Sequence, residues 1–487
     1  MIDGRTPAIA GAAQVVQRPD EVVLVDGRGP IELMVDAARA AADDAGVPAL
    51  LQKLDWVAVV GGVWRFTNPG ALIARAVGSP DAATALSAFS GSSGQDLVGM
   101  AAERIARGEI EVALVVGGEA RYSEQRLKKA GEVPRWITEP GDGTPESLSP
   151  FAPEMLAEMA TLGPPAVAYA LFEDSLRASR GESIDAMRDR AAKLWAAMSE
   201  AAAGNPYAWD RNAHSPTEVR EPTPDNRMIS FPYTKAMVAN NQVDMASATL
   251  LCSVDAARAA GVADDRLVFP LVVTVAHETW QIINRDELHG CPALTTAGTT
   301  AFAQAGIAAD DVEHVDLYAC FPSIVQMSAN ALGLSTDRPL TVTGGLGFAG
   351  APLANAAGQS IAAIVPLVRR GGYGLVHGNG GVATKHAFGV YGTTPPSQFR
   401  RIDCQGDVVD NARAGVPEGW AGEGVVEAAT VVYDREGPAN VFAALRTAEG
   451  ARAFARTADE SAMTEAMNHG IAGLAASRTA DGELHMV

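Results

Sequence analysis

Along the first 120 residues, short β-branched apolar runs alternate with longer Ala-rich stretches whose apolar positions recur at helical spacing. Ala8-Ile9-Ala10-Gly11 opens as a strand. Ile31 to Ala45 has helical spacing and stops at Gly46, a residue suited to ending a helix. Asp55 to Val60 reads as a buried strand, Gly94 to Arg107 as a helix, and Val112 to Val116 as a strand running into Gly117-Gly118. This β-α-β alternation predicts a doubly wound α/β sheet with helices on its faces. From about 121 to 225 the texture changes. Pro and Gly cluster between Glu132 and Pro150, and helical stretches such as Ile184 to Ala203 follow, which predicts an inserted, mostly helical subdomain.

The alternating pattern resumes after residue 226 and repeats itself. Ala45-Gly46-Val47 followed by Asp55-Trp56-Val57 is echoed by Ala305-Gly306-Ile307 and Val315-Asp316-Leu317. Ser93-Gly94-Gln95, a helix and Gly117-Gly118 recur as Ala357-Gly358-Gln359, a helix and Gly380-Gly381. A period of roughly 260 residues is far too long for a solenoid and predicts two copies of one α/β unit packed together. After Pro396 short strands take over, including Val425 to Val432 and Asn440 to Leu445. The expected domains are therefore 1–265, carrying the insertion at 121–225, then 266–397, then a β-rich unit at 398–487.

Composition narrows the partners. The chain has 487 residues, 47% hydrophobic, with 38 Lys+Arg against 58 Asp+Glu and a formal net charge of −20. Such a chain buries a large core, and its acidity argues against nucleic acid, whose binding needs basic patches that release counterions. The tail agrees: residues 398–487 carry 8 Arg and no Lys against 14 Asp+Glu, so even a barrel there would bind nucleic acid poorly. The four cysteines, at 252, 291, 320 and 404, form no CxxC metal motif and no disulfide framework. No run of 18 apolar residues occurs, and the N-terminus lacks a signal-peptide pattern. Among the basic residues, 32 Arg against 6 Lys suggest a high-GC bacterial genome, so the expected location is the cytoplasm.

Gly345-Leu346-Gly347-Phe348-Ala349-Gly350 satisfies G-x-G-x-x-G, but Ser360 to Asn379 contains no Asp or Glu to hold a ribose. The plainer reading is glycines that let one backbone approach another. The same loop, from Thr341 to Leu353, resembles the N-x-N-G-G…G-H-P-L segment of thiolases. Asp316-Leu317-Tyr318-Ala319-Cys320-Phe321 looks like the segment that carries NEAF or HDCF, and His377-Gly378-Asn379-Gly380-Gly381 sits where thiolases have C-x-G-G-G. Ser90 to Gly94 sits at the C-x-S-G nucleophile loop. The resemblance to the thiolase superfamily covers residues 1 to about 397, and the β-rich tail makes the thiolase-like protein type 1 group, with its additional C-terminal domain, the nearest match. It implies a duplicated thiolase fold: two βαβαβαββ halves layered α-β-α-β-α, an inserted loop domain, and a small β-rich C-terminal domain, with an OB-like barrel as one form for the latter.

The departures from the family pattern are as informative. Gly91 stands where thiolases have the nucleophilic Cys, Ala351 replaces the His of GHP, His377 the Cys of C-x-G, and Tyr318 the Asn or His of NEAF or HDCF. Claisen chemistry needs a thiolate, a base and two sets of oxyanion donors, and the ordinary set is missing. Cys320 is retained. Lying just before Phe321-Pro322 near a helix start, it is expected to have a lowered pKa. The sharpest hypothesis is a Cys320–His377 catalytic pair, with Asn379 or the Gly344-Gly345 backbone as oxyanion donor. An inert buried thiol is the alternative. Ser92 is the fallback nucleophile, although Ser92 and Ser93 also suit helix N-capping. Tyr318 and Gly380 are expected to line the same pocket, and Lys385 and His386 to reach a CoA thioester or its phosphate. The remaining cysteines read as structural, and His214, His277-Glu278 and His469 as surface or capping groups.

The resemblance thus implies an acyltransferase of acetyl-CoA acetyltransferase type, in lipid metabolism, with CoA or acyl-CoA as substrate and no tightly bound cofactor or metal. The alternative is a non-catalytic acyl-CoA-binding or scaffold protein that kept the fold. A monomer or small homo-oligomer is expected, with the C-terminal domain able to recruit a partner protein.

Overall fold

The computed structural model describes residues 2–19, 24–409 and 411–487. The first run of elements is β1 (Pro7–Val16), α1 (Pro30–Asp44), β2 (Trp56–Val59), α2 (Pro69–Val77), β3 (Ala83–Ser87), α3 (Ser93–Ala106) and β4 (Val112–Ala120). Proline opens both α1 and α2, where its missing N–H costs no hydrogen bond. The inserted region supplies α4 (Arg121–Ala130), β5 (Glu146–Leu148), α5 (Pro153–Leu162), α6 (Pro165–Arg180), α7 (Ile184–Gly204) and α8 (Pro216–Arg220). The chain returns through β6 (Met228–Ser230), β7 (Tyr233–Thr234), β8 (Asp244–Ser253) and α9 (Val254–Ala260). The second run is β9 (Phe269–His277), α10 (Pro292–Ala305), β10 (Val312–Asp316), α11 (Pro322–Leu332), α12 (Ala356–Val368), β11 (Tyr373–Gly380), β12 (Lys385–Gly392) and β13 (Arg401–Asp403).

The internal repeat is visible in the sheets. One has the order β1-β8-β4-β2-β3-β5 and the other β10-β11-β12-β9-β13. Read from β1 and from β9, the strand series β1-β8-β4-β2 and β9-β12-β11-β10 pair alike: antiparallel, antiparallel, then parallel. Each sheet is thus one copy of the same unit. Strands β4 and β8 are buried along their whole length, as expected of central strands covered on both faces. Between the sheets lie α3 and α12, each touching strands of both. They meet where Gly94 faces Gly358: a β-carbon on Gly94 would lie 2.9 Å from the Gly358 nitrogen. The sequence echo at these positions is therefore a packing requirement. With α1 and α2 outside one sheet and α10 and α11 outside the other, the layers are α-β-α-β-α.

The inserted region does two structural jobs. Its β5 runs parallel along the outer edge of β3, at Ala85↔Glu146 and Ser87↔Leu148. That covers the edge on which another strand could otherwise add. Its α6 packs on α11 and also on the tail. The tail folds as β14 (Gly422–Tyr433), β15 (Pro438–Arg446), β16 (Arg452–Thr457), α13 (Glu460–Asn468), β17 (Ala475–Arg478) and β18 (Leu484–Met486). These strands pair in the order β16-β15-β14-β17-β18, and a parallel bridge between Arg456 and Glu483 brings the two ends together. The ring order first-second-third-fifth-fourth, with a helix after the third strand, is that of an OB-like barrel. Val426, Val431, Val441, Leu445 and Met463 fill it. β6 pairs with β14, so the barrel is stitched to the core. No single helix among the described residues is long and apolar enough to cross a membrane.

Candidate functional site

Gly91 precedes α3 at the middle of the molecule, and its surroundings decide what this loop can do. A β-carbon here would collide with the Asn379 carbonyl oxygen and the Tyr318 hydroxyl, and would lie 2.6 Å from Tyr318 Cζ. Carbon atoms in contact sit at about 3.5–4.0 Å, so the volume a nucleophilic side chain would need is already occupied. Tyr318 is half-buried and packs with Cys320 against Leu346, Ala351 and Ala356. Ala351 leaves space that the tyrosine ring uses. Three of the four departures from the family pattern are thus physically linked: glycine and alanine make room for the tyrosine, which fills the site.

Ser92 is buried, and its Oγ hydrogen-bonds Ser90 Oγ at 2.8 Å. Neither serine acts as the expected helix cap: Ser92 occupies the N-cap position of α3 without a side-chain capping bond, and Ser93 Oγ donates to the Ala88 carbonyl at 3.1 Å. The competing local bond wins in each case. Among the described residues no imidazole or carboxylate hydrogen-bonds Ser92. Gly380 lies opposite, facing the Ser90 and Ser92 hydroxyls.

The Cys320–His377 pair does not form. Cys320, just ahead of α11, has Tyr169 and Asn379 as hydrogen-bond partners, the latter through Nδ2 at 4.0 Å. Burial pushes the thiol up to about 12, outweighing the favourable backbone and side-chain donors around it. The expected lowering by the helix start is therefore reversed, because desolvation of a thiolate costs more than one helix turn returns. His377 instead stacks on Phe388, with ring centroids 4.4 Å apart, and hydrogen-bonds Ser328 Oγ (3.3 Å) and His386 Nδ1 (3.1 Å). His386 continues to Cys291 Sγ at 3.2 Å, whose thiol reaches Glu278 Oε2 at 3.4 Å. Burial lowers both imidazoles, His386 to about 3 and His377 well below its usual value, so both are neutral.

This buried chain, Ser328–His377–His386–Cys291–Glu278, corrects several sequence expectations at once. Cys291 is a buried structural thiol, and Glu278 is buried rather than at the surface and accepts the Ala293 N–H at 3.1 Å at the start of α10. His386 is 1% exposed and does not face a phosphate. Lys385, on the opposite face of β12, donates to the Ser149 carbonyl at 2.8 Å and lies 5.0 Å over the Phe151 ring. Burial lowers its pKa from the usual lysine value, and its amine is already committed to that carbonyl and ring. Local pattern could not have found the chain: its members sit just after β9, on β11, β12 and α11, and in the loop before α10, and only cross-strand pairing such as Asn379↔His386 brings them together.

The expected oxyanion donors are also committed. Asp316 accepts from Val342 N (2.9 Å), Thr343 N (2.8 Å) and the Thr341 and Ser360 hydroxyls, and so fixes the 341–345 loop. The Gly344 and Gly345 N–H groups both donate to Thr341 Oγ1, at 2.9 and 3.2 Å. Gly344, at φ +111°, lies against the Ala202 backbone of α7, and Gly347 faces the Ala236 carbonyl. Close backbone approach therefore accounts for the glycine run. Asn379 Nδ2 donates to Tyr169 Oη at 2.9 Å, and its buried Oδ1 has no partner among the described residues. Tyr169, the hub of this cluster, also accepts the Ala383 N–H at 3.0 Å and stacks on Phe321. It comes from α6 of the insertion, and no motif in the chain marks it.

Comparison with known proteins gives a consistent picture. The model of the thiolase-like protein type 1 additional C-terminal domain matches residues 403–483, and that of the thiolase C-terminal domain-like family matches residues 274–338. No curated protein matches the chain. Among solved structures, a monomeric SCP2-thiolase-like protein type 1 from Mycobacterium smegmatis is 30% identical, covers 100% of both chains and superposes with a TM-score of 0.84. An Ltp2-ChsH2(DUF35) aldolase is 18% identical over 79% of this chain and 97% of its own, with a TM-score of 0.60. Human mitochondrial 3-ketoacyl-CoA thiolase in complex with CoA is 18% identical over 80% and 99%, with a TM-score of 0.55. The last two similarities concern the fold.

Proposed function

Because the chain belongs to the thiolase superfamily, in the thiolase-like protein type 1 group with an additional C-terminal domain, we propose that it is a non-catalytic member that binds a CoA thioester without turning it over. The observation that carries this reading is the filled nucleophile position: a side chain at Gly91 has no room beside Tyr318 and the Asn379 carbonyl. A covalent acyl carrier needs an activated nucleophile and a positioned base. Here the retained thiol, Cys320, is held protonated by burial and hydrogen-bonds Tyr169 and Asn379 rather than an imidazole. The acyltransferase alternative would have to run through that thiol, to which no imidazole or carboxylate among the described residues hydrogen-bonds.

The CoA half rests on the family and on the fold shared with the human thiolase that binds CoA. Tyr318 and Cys320 retain partial exposure and mark the mouth the thioester would approach. Calorimetry with CoA and acetyl-CoA tests it: binding that Tyr318→Trp weakens at least tenfold supports the reading, and absence of heat for both ligands up to millimolar concentration overturns it. A monomer is part of the same proposal, since β5 occupies the edge of β3 and the related mycobacterial protein is described as monomeric. We assign the units 1–265, 266–397 and 398–487 on the same footing, with the barrel as the surface open to a protein partner.

A further inference from the structure

A cavity of about 470 Å³ opens at the end of β4, on the α1 side of the first sheet and away from Gly91 and Cys320. Its walls are aromatic and aliphatic: Trp64, Phe66, Trp136 and Leu127 line it. The Trp64 and Phe66 rings stand 5.4 Å apart, and Trp64 is fixed by donating its indole N–H to the Gly118 carbonyl at 3.1 Å. Trp136 rests on the backbone at Gly29. The size falls within the range of small-molecule sites, and walls fixed in this way need little ordering when a ligand enters.

One polar group in this cavity is buried. Glu119 is 2% exposed, while Arg65, Glu124, Lys128 and Glu132 stand at the exposed rim. Its Oε1 accepts the Val63 N–H at 3.0 Å, and no described residue donates to the second oxygen. The second oxygen is not sealed inside the protein but open, so a partner entering the cavity can pair with it. Three carboxylates and two cations line the cavity, and the Arg121 guanidinium lies near enough to act on Glu119. Aromatic faces attract cations through the ring quadrupole. An ammonium group with an apolar body meets all three features: it supplies N–H donors to the free oxygen, its charge faces the rings, and its body fills the apolar space.

We infer that the cavity at the end of β4 is a binding site for a protonated amine carried on an aromatic or aliphatic body, with Glu119 as its counterion and Trp64, Phe66 and Trp136 as its walls. The neighbouring charges set the pH range of binding. Burial raises Glu119 to about 7, against the pull of Arg121 on α4 and with the push of Glu124. Arg65 on the preceding loop and Lys128 and Glu132 on the other side complete the charged surroundings. A cation binds the ionised form, so its affinity rises as pH increases from 6 to 8 and a proton is released on binding.

Calorimetry on the full chain with 2-phenylethylammonium, neutral 2-phenylethanol and anionic phenylacetate at pH 8 tests this directly. The cation is expected to bind at least tenfold more tightly than either of the others. Glu119→Gln is expected to remove that preference, and Trp136→Ala, at the rim, to weaken the cation severalfold while Glu119 stays in place. Equal or tighter binding of phenylacetate, a preference that survives Glu119→Gln, or no binding of the cation at millimolar concentration would each overturn the proposal.

Discussion

Replacing Gly91 by alanine adds one methyl group where the structure leaves no space, and the cost can be worked from the geometry. The new β-carbon would meet Tyr318 Cζ at 2.6 Å and the Asn379 carbonyl oxygen closer still. Restoring ordinary contact distances of about 3.5 Å requires a displacement of about 1 Å. Tyr318 can yield part of that because it is half-buried. The carbonyl cannot yield easily, since it belongs to β11, which pairs with β12 across Asn379↔His386. Overpacking of this kind costs about 1–3 kcal/mol, and a backbone clash places Gly91→Ala at the upper end, about 3 kcal/mol. With Tyr318→Ala in the background one of the two collisions disappears, so Gly91→Ala should then cost about 1–2 kcal/mol less, a coupling typical of touching residues. Urea titrations of the parent, both single variants and the double variant measure this cycle, provided the slope of unfolding against urea stays constant. A Gly91→Ala variant within about 0.5 kcal/mol of the parent, or a cycle with no coupling, would refute the claim that the tyrosine fills the nucleophile site.

Further predictions concern protons and buried pairs. His386 is held neutral down to about 3 in the folded chain but titrates near 6.5 when unfolded. The unfolded state then binds more protons, and stability should fall by up to about 5 kcal/mol as pH drops from 6.5 towards 3, with no change above 7. His386→Gln should flatten this acid limb in urea midpoints recorded against pH. Glu119 acts in the opposite sense. Raised from 4.5 to about 7, it should cost about 3 kcal/mol as pH climbs through that interval, a slope that Glu119→Gln removes. Arg452, 0% exposed, pairs with Glu427 at 2.7 Å and donates to the Ile282 and Asp286 carbonyls at 3.0 and 2.8 Å, so Arg452→Met should destabilise by about 3 kcal/mol in thermal unfolding. Iodoacetamide should modify Cys320 more slowly than free cysteine at pH 8, as judged by peptide mass spectrometry, because its thiol is held protonated.

How far the sequence could be read follows from the range of the interactions concerned. Periodicity located β1, α1, α3, β4 and α7 because each encodes its own burial, and the repeat was legible because Gly94 and Gly358 must both be small for α3 and α12 to meet. The OB-like ring was only partly legible, since its closure depends on the Arg456–Glu483 bridge. The site was read less well. Motif register grouped Cys320, His377 and Asn379 in one neighbourhood; in the structure Asn379 reaches Cys320, while His377 takes Ser328 and His386 as partners. Alternation along β11 and β12 set His377 against Phe388 and His386, and α6 brought Tyr169 to Cys320. Glu119 went unnoticed because a lone acid at a strand end has no local signature; only the loop at Val63 and α4 turn it into a cavity group.

On the proposed reading, this chain keeps the thiolase fold without its covalent chemistry. Incubating the full chain with acetoacetyl-CoA and CoA, and following both acetyl-CoA formation and the intact protein mass, tests this most directly. No acetyl-CoA above the protein-free control and no added acyl group on the chain is the expected result. Turnover together with an acyl adduct on Cys320 or Ser92, both lost on replacing that residue by alanine, would contradict it.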